Sequence, residues 1–133
     1  MQRMRTTPAD HLIFVCPISV AEIEWGLRIS DGGEDEMRAA TRRFLEDTIL
    51  THVFPIDVTT RNSYAEIMER IWRARPPAKP GTQRHLTDIG VDINDVWISA
   101  VALERNLTIL SEDGMRVIRE CIPELRFQNW LEA

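Results

Sequence analysis

Asn94-Asp95-Val96-Trp97-Ile98-Ser99-Ala100-Val101-Ala102-Leu103-Glu104-Arg105, followed after one residue by Leu107-Thr108-Ile109-Leu110, reads as a helix that runs directly into a strand. Asn94 is placed to cap the helix, which spans about Asp95 to Arg105 and is rich in Val, Ile, Ala and Leu. Downstream, a short helix is expected from about Gly114 to Glu120 and a last strand at Leu125-Arg126-Phe127-Gln128. Upstream, Tyr64, Ile67, Met68, Ile71 and Trp72 recur at helical spacing, with Thr59 or Thr60 as the cap. Val53-Phe54-Pro55-Ile56 reads as a short strand whose proline suits an edge or a strand end. Near the start, Leu12-Ile13-Phe14-Val15-Cys16 is apolar without alternation, as in a strand covered on both faces. Ser19 and Glu22 have capping-box spacing for the helix that follows, carrying Val20, Ile23 and Leu27 and stopping near Asp31-Gly32-Gly33. A further helix is expected from Glu34 to about Thr48, with Met37, Ala40, Phe44 and Leu45 inward. Strands separated by helices imply an α/β fold with parallel pairing through right-handed crossovers.

The 133 residues fit one domain, and the composition, 44% hydrophobic and 28% charged, is globular. No apolar run approaches the roughly 20 residues that span a bilayer, and no signal peptide is evident. Cys16 and Cys121 make no disulfide framework, so an intracellular reducing compartment is expected. The net charge of −5 argues against coating nucleic acid by bulk charge. That charge is unevenly spread. Residues 73–85 form a proline-rich segment with Arg73, Arg75, Lys79 and Arg84 and no acid. Setting those four aside takes the other 120 residues from −5 to −9.

In open α/β sheets ligands sit beyond the carboxyl ends of the strands. Glu22, Asp95 and Asp113 occupy such junctions, and Asp92 is a fourth candidate. Acids converging from separate segments repel one another unless a cation compensates. Oxygen-only ligation selects Mg²⁺ or Mn²⁺, which can activate water for attack on a phosphate. Each acid also has a structural explanation. Glu22 can complete the capping box, and Asp95 and Asp113 suit the positive end of a helix.

The segment Ile93 to Leu103 resembles the N-D-x-x-I-A-A-x-A-L helix of PIN-domain ribonucleases, best known as the toxin half of VapBC toxin–antitoxin pairs. As in that family, a strand and a T-x-D-like junction follow, here Ser111-Glu112-Asp113. Ile18 to Gly26 is similar to the family's A-E-[LI]-x-x-G segment through the spacing of Glu22 and Gly26. Leu125 to Trp130 looks like its last strand and tail. The resemblance covers about residues 12–130, and the Asn94–Leu103 segment is its specific part.

The resemblance implies a three-layer fold, a parallel sheet flanked by helices, as a single domain over residues 1–133. It implies that Glu22, Asp95 and Asp113 hold Mg²⁺ (or Mn²⁺), with Ser111 as a hydroxyl at the same pocket. Asp92 has no firm counterpart and ranks as auxiliary. The implied function is a cytoplasmic endoribonuclease toxin whose metal-activated water attacks RNA. An antitoxin would restrain it, and a homodimer is expected. The departure lies at the start: members usually open with a strand ending in Asp-Thr-Asn, and nothing ahead of Leu12 matches it. The expectation is a PIN-like domain short of that strand and its acid. A catalytically silent binding or dimerisation module is the competing reading.

The four cations of residues 73–85 could hold RNA phosphates or form a solvated loop. Trp25, Trp72 and Trp97 lie at apolar helix positions and read as core. Trp130 is undecided. His11, His52 and His85 have no nucleophile pattern beside them, and Cys16 reads as a small hydrophobe. No glycine-rich phosphate loop is present, which also disfavours a nucleotide-binding or receiver-type domain.

Overall fold

A computed structural model describes residues 14–29, 35–111 and 115–129, and the chain divides into two compact units at Ile56/Asp57. In the first unit, Val15 pairs in parallel with Val53. The Val15 N–H donates to the His52 carbonyl at 2.9 Å, and the Phe54 N–H to the Val15 carbonyl at 3.0 Å. Phe14 stacks on Phe54 beside that bridge, with ring centroids 4.2 Å apart. The apolar pentad is thus a strand reduced to one bridge among the described residues; Leu12 and Ile13 lie outside them. Cys16 is buried, and burial pushes its thiol above the usual range, in keeping with a hydrophobic role.

Helix α1 spans Pro17–Ile29. Proline at the first helical position lacks only an N–H that would have no helical partner. Ser19 is therefore already inside the first turn, so it does not cap this helix as the Ser19–Glu22 spacing suggested. Helix α2, Asp35–Phe44, carries Asp35 and Glu36 in its first turn and Arg42 and Arg43 in its last, as the helix dipole favours. It continues through a π-helical turn at Leu45–Ile49 and a 3₁₀ turn at Leu50–His52. Leu45 is buried as expected, whereas Met37 is 66% exposed and Ala40 is exposed as well. Glu24 joins the two helices, accepting from Arg28 at 3.1 Å and from Arg42 at 3.0 Å.

The second unit holds α3 (Thr60–Ala74), a 3₁₀ turn (Leu86–Ile89), α4 (Ile93–Arg105), β1 (Thr108–Leu110), α5 (Arg116–Cys121) and β2 (Arg126–Gln128). The strands β1 and β2 pair in parallel, Thr108 opposite Arg126, Ile109 opposite Phe127 and Leu110 opposite Gln128. Parallel strands need a crossover, which α5 provides. Ile67 and Ile71 of α3, Val96 and Ala100 of α4, Ile109 of β1, and Ile118 and Ile122 around α5 form the core. Burying each of the larger aliphatic side chains contributes roughly 1.5–3 kcal/mol.

Two positions turn the chain between elements. Gly90 (φ 74°) closes the 3₁₀ turn in the left-handed region. Asn106 (φ 55°) does the same after α4, and asparagine tolerates that region better than most residues. Arg126 then locks this corner, donating to the Asn106 carbonyl at 2.6 Å. The protein is a helix-rich α/β structure with parallel strands, as the alternation of elements predicts.

Candidate active site

Helix α4 starts where Asp92 closes it. The backbone of Asp92 is extended, and its carboxylate accepts from the Asn94 N–H at 2.7 Å. The cap is therefore Asp92 rather than Asn94, because Asn94 is itself a first-turn residue whose N–H needs an acceptor. Asp95 follows in the same turn, half-buried, where the dipole favours a negative charge. One turn further on the same face lies Ser99, completely buried. Its hydroxyl donates to the Met115 sulfur at 3.7 Å.

The left-handed turn at Asn106 sends the chain straight back, and the Leu107 N–H bonds the Ala102 carbonyl at 2.9 Å. Ser111 follows β1 directly, and its N–H donates to the Gln128 carbonyl at 3.1 Å. Met115, in the left-handed region at φ 44°, opens α5. Neither Ser99 nor Met115 stands out in the sequence. The only hint is a hydroxyl residue among the apolar positions of α4.

Of the acids singled out from the sequence, Asp92 and Asp95 share one helix start, and Ser111 is in the same unit. Glu22 is exposed on α1 of the other unit. Asp113 lies outside the described residues. Among the described residues, no three acidic, histidine or cysteine side chains come together as a metal-ligand group. The donors present are hard oxygens, and that chemistry fits Mg²⁺ or Mn²⁺ better than a soft metal.

Residues 4–117 match the family model of the PIN domain. This chain belongs to the PIN domain family. It is similar in fold to VapBC-1 from nontypeable Haemophilus influenzae, with a TM-score of 0.66 at 17% identity over 98% of this chain and 84% of that one. It is similar also to FitAB bound to an IR36 DNA fragment, with a TM-score of 0.62 at 18% identity over 96% of this chain and 89% of that one. No curated protein matches it. PIN domains are generally nucleases that use a divalent metal.

The basic segment of this PIN domain is more engaged than a solvated loop would be. Arg73 belongs to the last turn of α3, which runs to Ala74, and pairs with Glu69 at 2.7 Å. Arg75 reaches Glu120 at 2.5 Å. Arg84 has a buried Nη1 with no acceptor, and Lys79 is exposed. Among the described residues these two make no ion pair. No helix among the described residues is long and apolar enough to cross a membrane.

Proposed function

We propose that this PIN domain is a divalent-metal-dependent endoribonuclease and the toxin of a toxin–antitoxin pair. The observation that supports this best is Asp95, half-buried in the first turn of α4, in a chain that matches the PIN domain family over residues 4–117. In this reading Asp95 and Asp113 would hold Mg²⁺ or Mn²⁺, with Asp92 as an auxiliary acid already committed to the helix cap; Glu22 is the further acid that the family resemblance assigns to the metal. A cation held there neutralises the carboxylates and favours both water ionisation and charge on the phosphate. Ser111 contributes a hydroxyl beside it, able to orient water or a phosphate oxygen. Arg73, Arg75, Lys79 and Arg84 position the RNA through its phosphates.

VapBC-1 and FitAB are the complexes whose fold this chain shares, which supports an antitoxin as a partner. A second copy of the chain and a cytoplasmic setting belong to the same reading. The deciding test is RNA cleavage with Mg²⁺ or Mn²⁺, with and without chelator, by the wild type and by Asp95→Asn. Outer-shell changes at metal sites already lower activity 10–100-fold, so loss of a direct ligand should lower cleavage by at least about 100-fold. Cleavage that survives Asp95→Asn, or ignores chelator, sinks the proposal. Persistent absence of turnover with either ion leaves the binding or dimerisation role.

A further inference from the structure

Trp72 stands in the apolar stripe of α3, whose other members, Tyr64, Ile67, Met68 and Ile71, lie in the core or against it. Trp72 does not: it is 49% exposed. Its indole makes no ring contact or hydrogen bond among the described residues, whereas Trp97 is stacked on Tyr64. One exposed apolar side chain is common at a protein surface and means little alone. The surroundings of this one give it a use.

Helix α3 ends at Ala74, and the chain runs on through Arg75, Lys79 and Arg84 without an acid as far as His85. The Arg75 N–H still bonds the Ile71 carbonyl at 2.9 Å, so helical spacing holds to that residue. Trp72 and Arg75, three apart, therefore share one side of the helix. Arg73 adjoins the ring in sequence, exposed and turned to Glu69. A flat apolar face beside cations is what an unpaired nucleotide requires, the ring for its base and the cations for the phosphates on either side. A duplex keeps its base faces inside the stack. An apolar protein surface would match the ring but leave the cations to be desolvated.

This end of α3 also faces the proposed chemistry along the helix axis. The Thr60 hydroxyl, at the start of α3, donates to Glu104 near the end of α4 at 2.8 Å. One turn further along α3, Tyr64 stacks on Trp97, nearer the start of α4. The two helices thus run in opposite directions, and α3 ends toward the start of α4, whose first turn carries Asp95.

We infer that Trp72 is a base-stacking platform, and that this end of α3 takes an unpaired nucleotide of single-stranded RNA. The base lies on the indole, while Arg73 and Arg75 leave Glu69 and Glu120 for the flanking phosphates, exchanging one anion for another. The inference rests on the ribonuclease reading and names the form of RNA that the protein accepts.

The test uses the full chain as wild type, Trp72→Ala, Trp72→Leu and Trp72→Phe. Binding is followed by anisotropy in chelator, with a fluorescent single-stranded RNA and with the same strand annealed to its complement. Trp72→Ala should weaken single-strand binding by about five- to 150-fold, the range that loss of a stacking aromatic side chain covers. Trp72→Leu should lose nearly as much, and Trp72→Phe should keep most of the affinity, since stacking needs a ring. The slope of log K against log salt should stay at the wild-type value in all three, because no phosphate contact is removed. Duplex binding should change less than twofold. Single-strand affinity of Trp72→Ala within twofold of wild type overturns the inference, as does an equal loss on the duplex. If alanine lowers the melting temperature, leucine and phenylalanine decide, and equal affinities of those two overturn it. If Trp72→Ala alters sedimentation and leaves RNA affinity unchanged, the ring belongs to a contact between copies and the inference falls. When the wild type cleaves RNA in Mn²⁺ and Trp72→Ala binds it equally well, only the stacking role is lost. A wild type that neither binds nor cleaves RNA removes the ribonuclease reading and the stacking role together.

Discussion

Asp57 closes the start of α3 through one carboxylate oxygen, which accepts from the Thr59 hydroxyl at 2.6 Å and from its N–H at 2.9 Å. The Thr60 N–H adds a longer bond at 3.3 Å, and the buried Thr60 hydroxyl accepts from the Asp57 N–H at 3.2 Å and donates to Glu104 at 2.8 Å. The Thr59 hydroxyl lies against Glu104 as well, so this corner ties the start of α3 to the end of α4. The Thr59 side chain makes no capping bond of its own; the acid before it does that work. The Thr59 hydroxyl is the main reason the Asp57 carboxyl is held below its ordinary range, with backbone N–H bonds and Arg105 adding to it. A depressed folded-state pKa stabilises the protein above the unfolded value of about 3.9, and that contribution disappears as pH falls through the folded value. Asp57→Asn keeps an acceptor but loses the charge. It should melt below wild type at neutral pH, and the gap should close on acidification below about pH 4. Melting curves across that range check this, and a gap independent of pH would refute it.

At the scale of elements, the start of α4 carries two acids with different local roles, Asp92 in the cap and Asp95 in the first turn. Asp92 holds the cap, so Asp92→Ala should lower stability by about 1 kcal/mol, as loss of such caps does. Asp92→Asn should restore most of it, because the amide oxygen accepts the same bond. Denaturant unfolding distinguishes them, and an asparagine variant as unstable as the alanine one would show that the cap is not the reason for Asp92. The helices themselves follow from local spacing. Tyr64, Ile67, Met68 and Ile71 face the core as their period requires. Trp97 of α4 is half-buried and stacks on Tyr64 with ring centroids 4.0 Å apart. Trp25 and Trp72, read as core by the same logic, are 63% and 49% exposed. Helical period defines an apolar stripe but not its width, and residues at the edge of a stripe are covered only if a neighbouring element reaches them.

Across the whole chain, the charge divides into an acidic body and a basic segment, and the segment divides again. Glu69 and Glu120 already engage Arg73 and Arg75, while Lys79 and Arg84 make no ion pair among the described residues. Single-stranded binding loses about 0.7 in the slope of log K against log salt for each phosphate contact removed. In the proposed ribonuclease, the double change Lys79→Ala, Arg84→Ala should therefore flatten that slope by about 1.4. Arg73→Ala and Arg75→Ala should each flatten it less, because those charges are partly neutralised. Anisotropy titrations with a fluorescent RNA in chelator measure this without cleavage, and an unchanged slope in the double variant would remove these residues from the RNA contact.

The sequence by itself determined the order of helices and strands, the parallel pairing, the family and the placement of Asp95 at a helix start. Each of these depends on residues a few positions apart or on motifs in continuous sequence. Asp113 lies outside the described residues, and Glu22 proved to lie on α1, although Ser19 is not the cap of that helix. Tertiary structure alone decided which tryptophans are covered, which arginines are engaged, and that a buried serine meets a left-handed methionine 16 residues away. Those outcomes depend on which surfaces meet after the chain has turned at Asn106, and contacts between distant segments leave no periodic mark along the sequence.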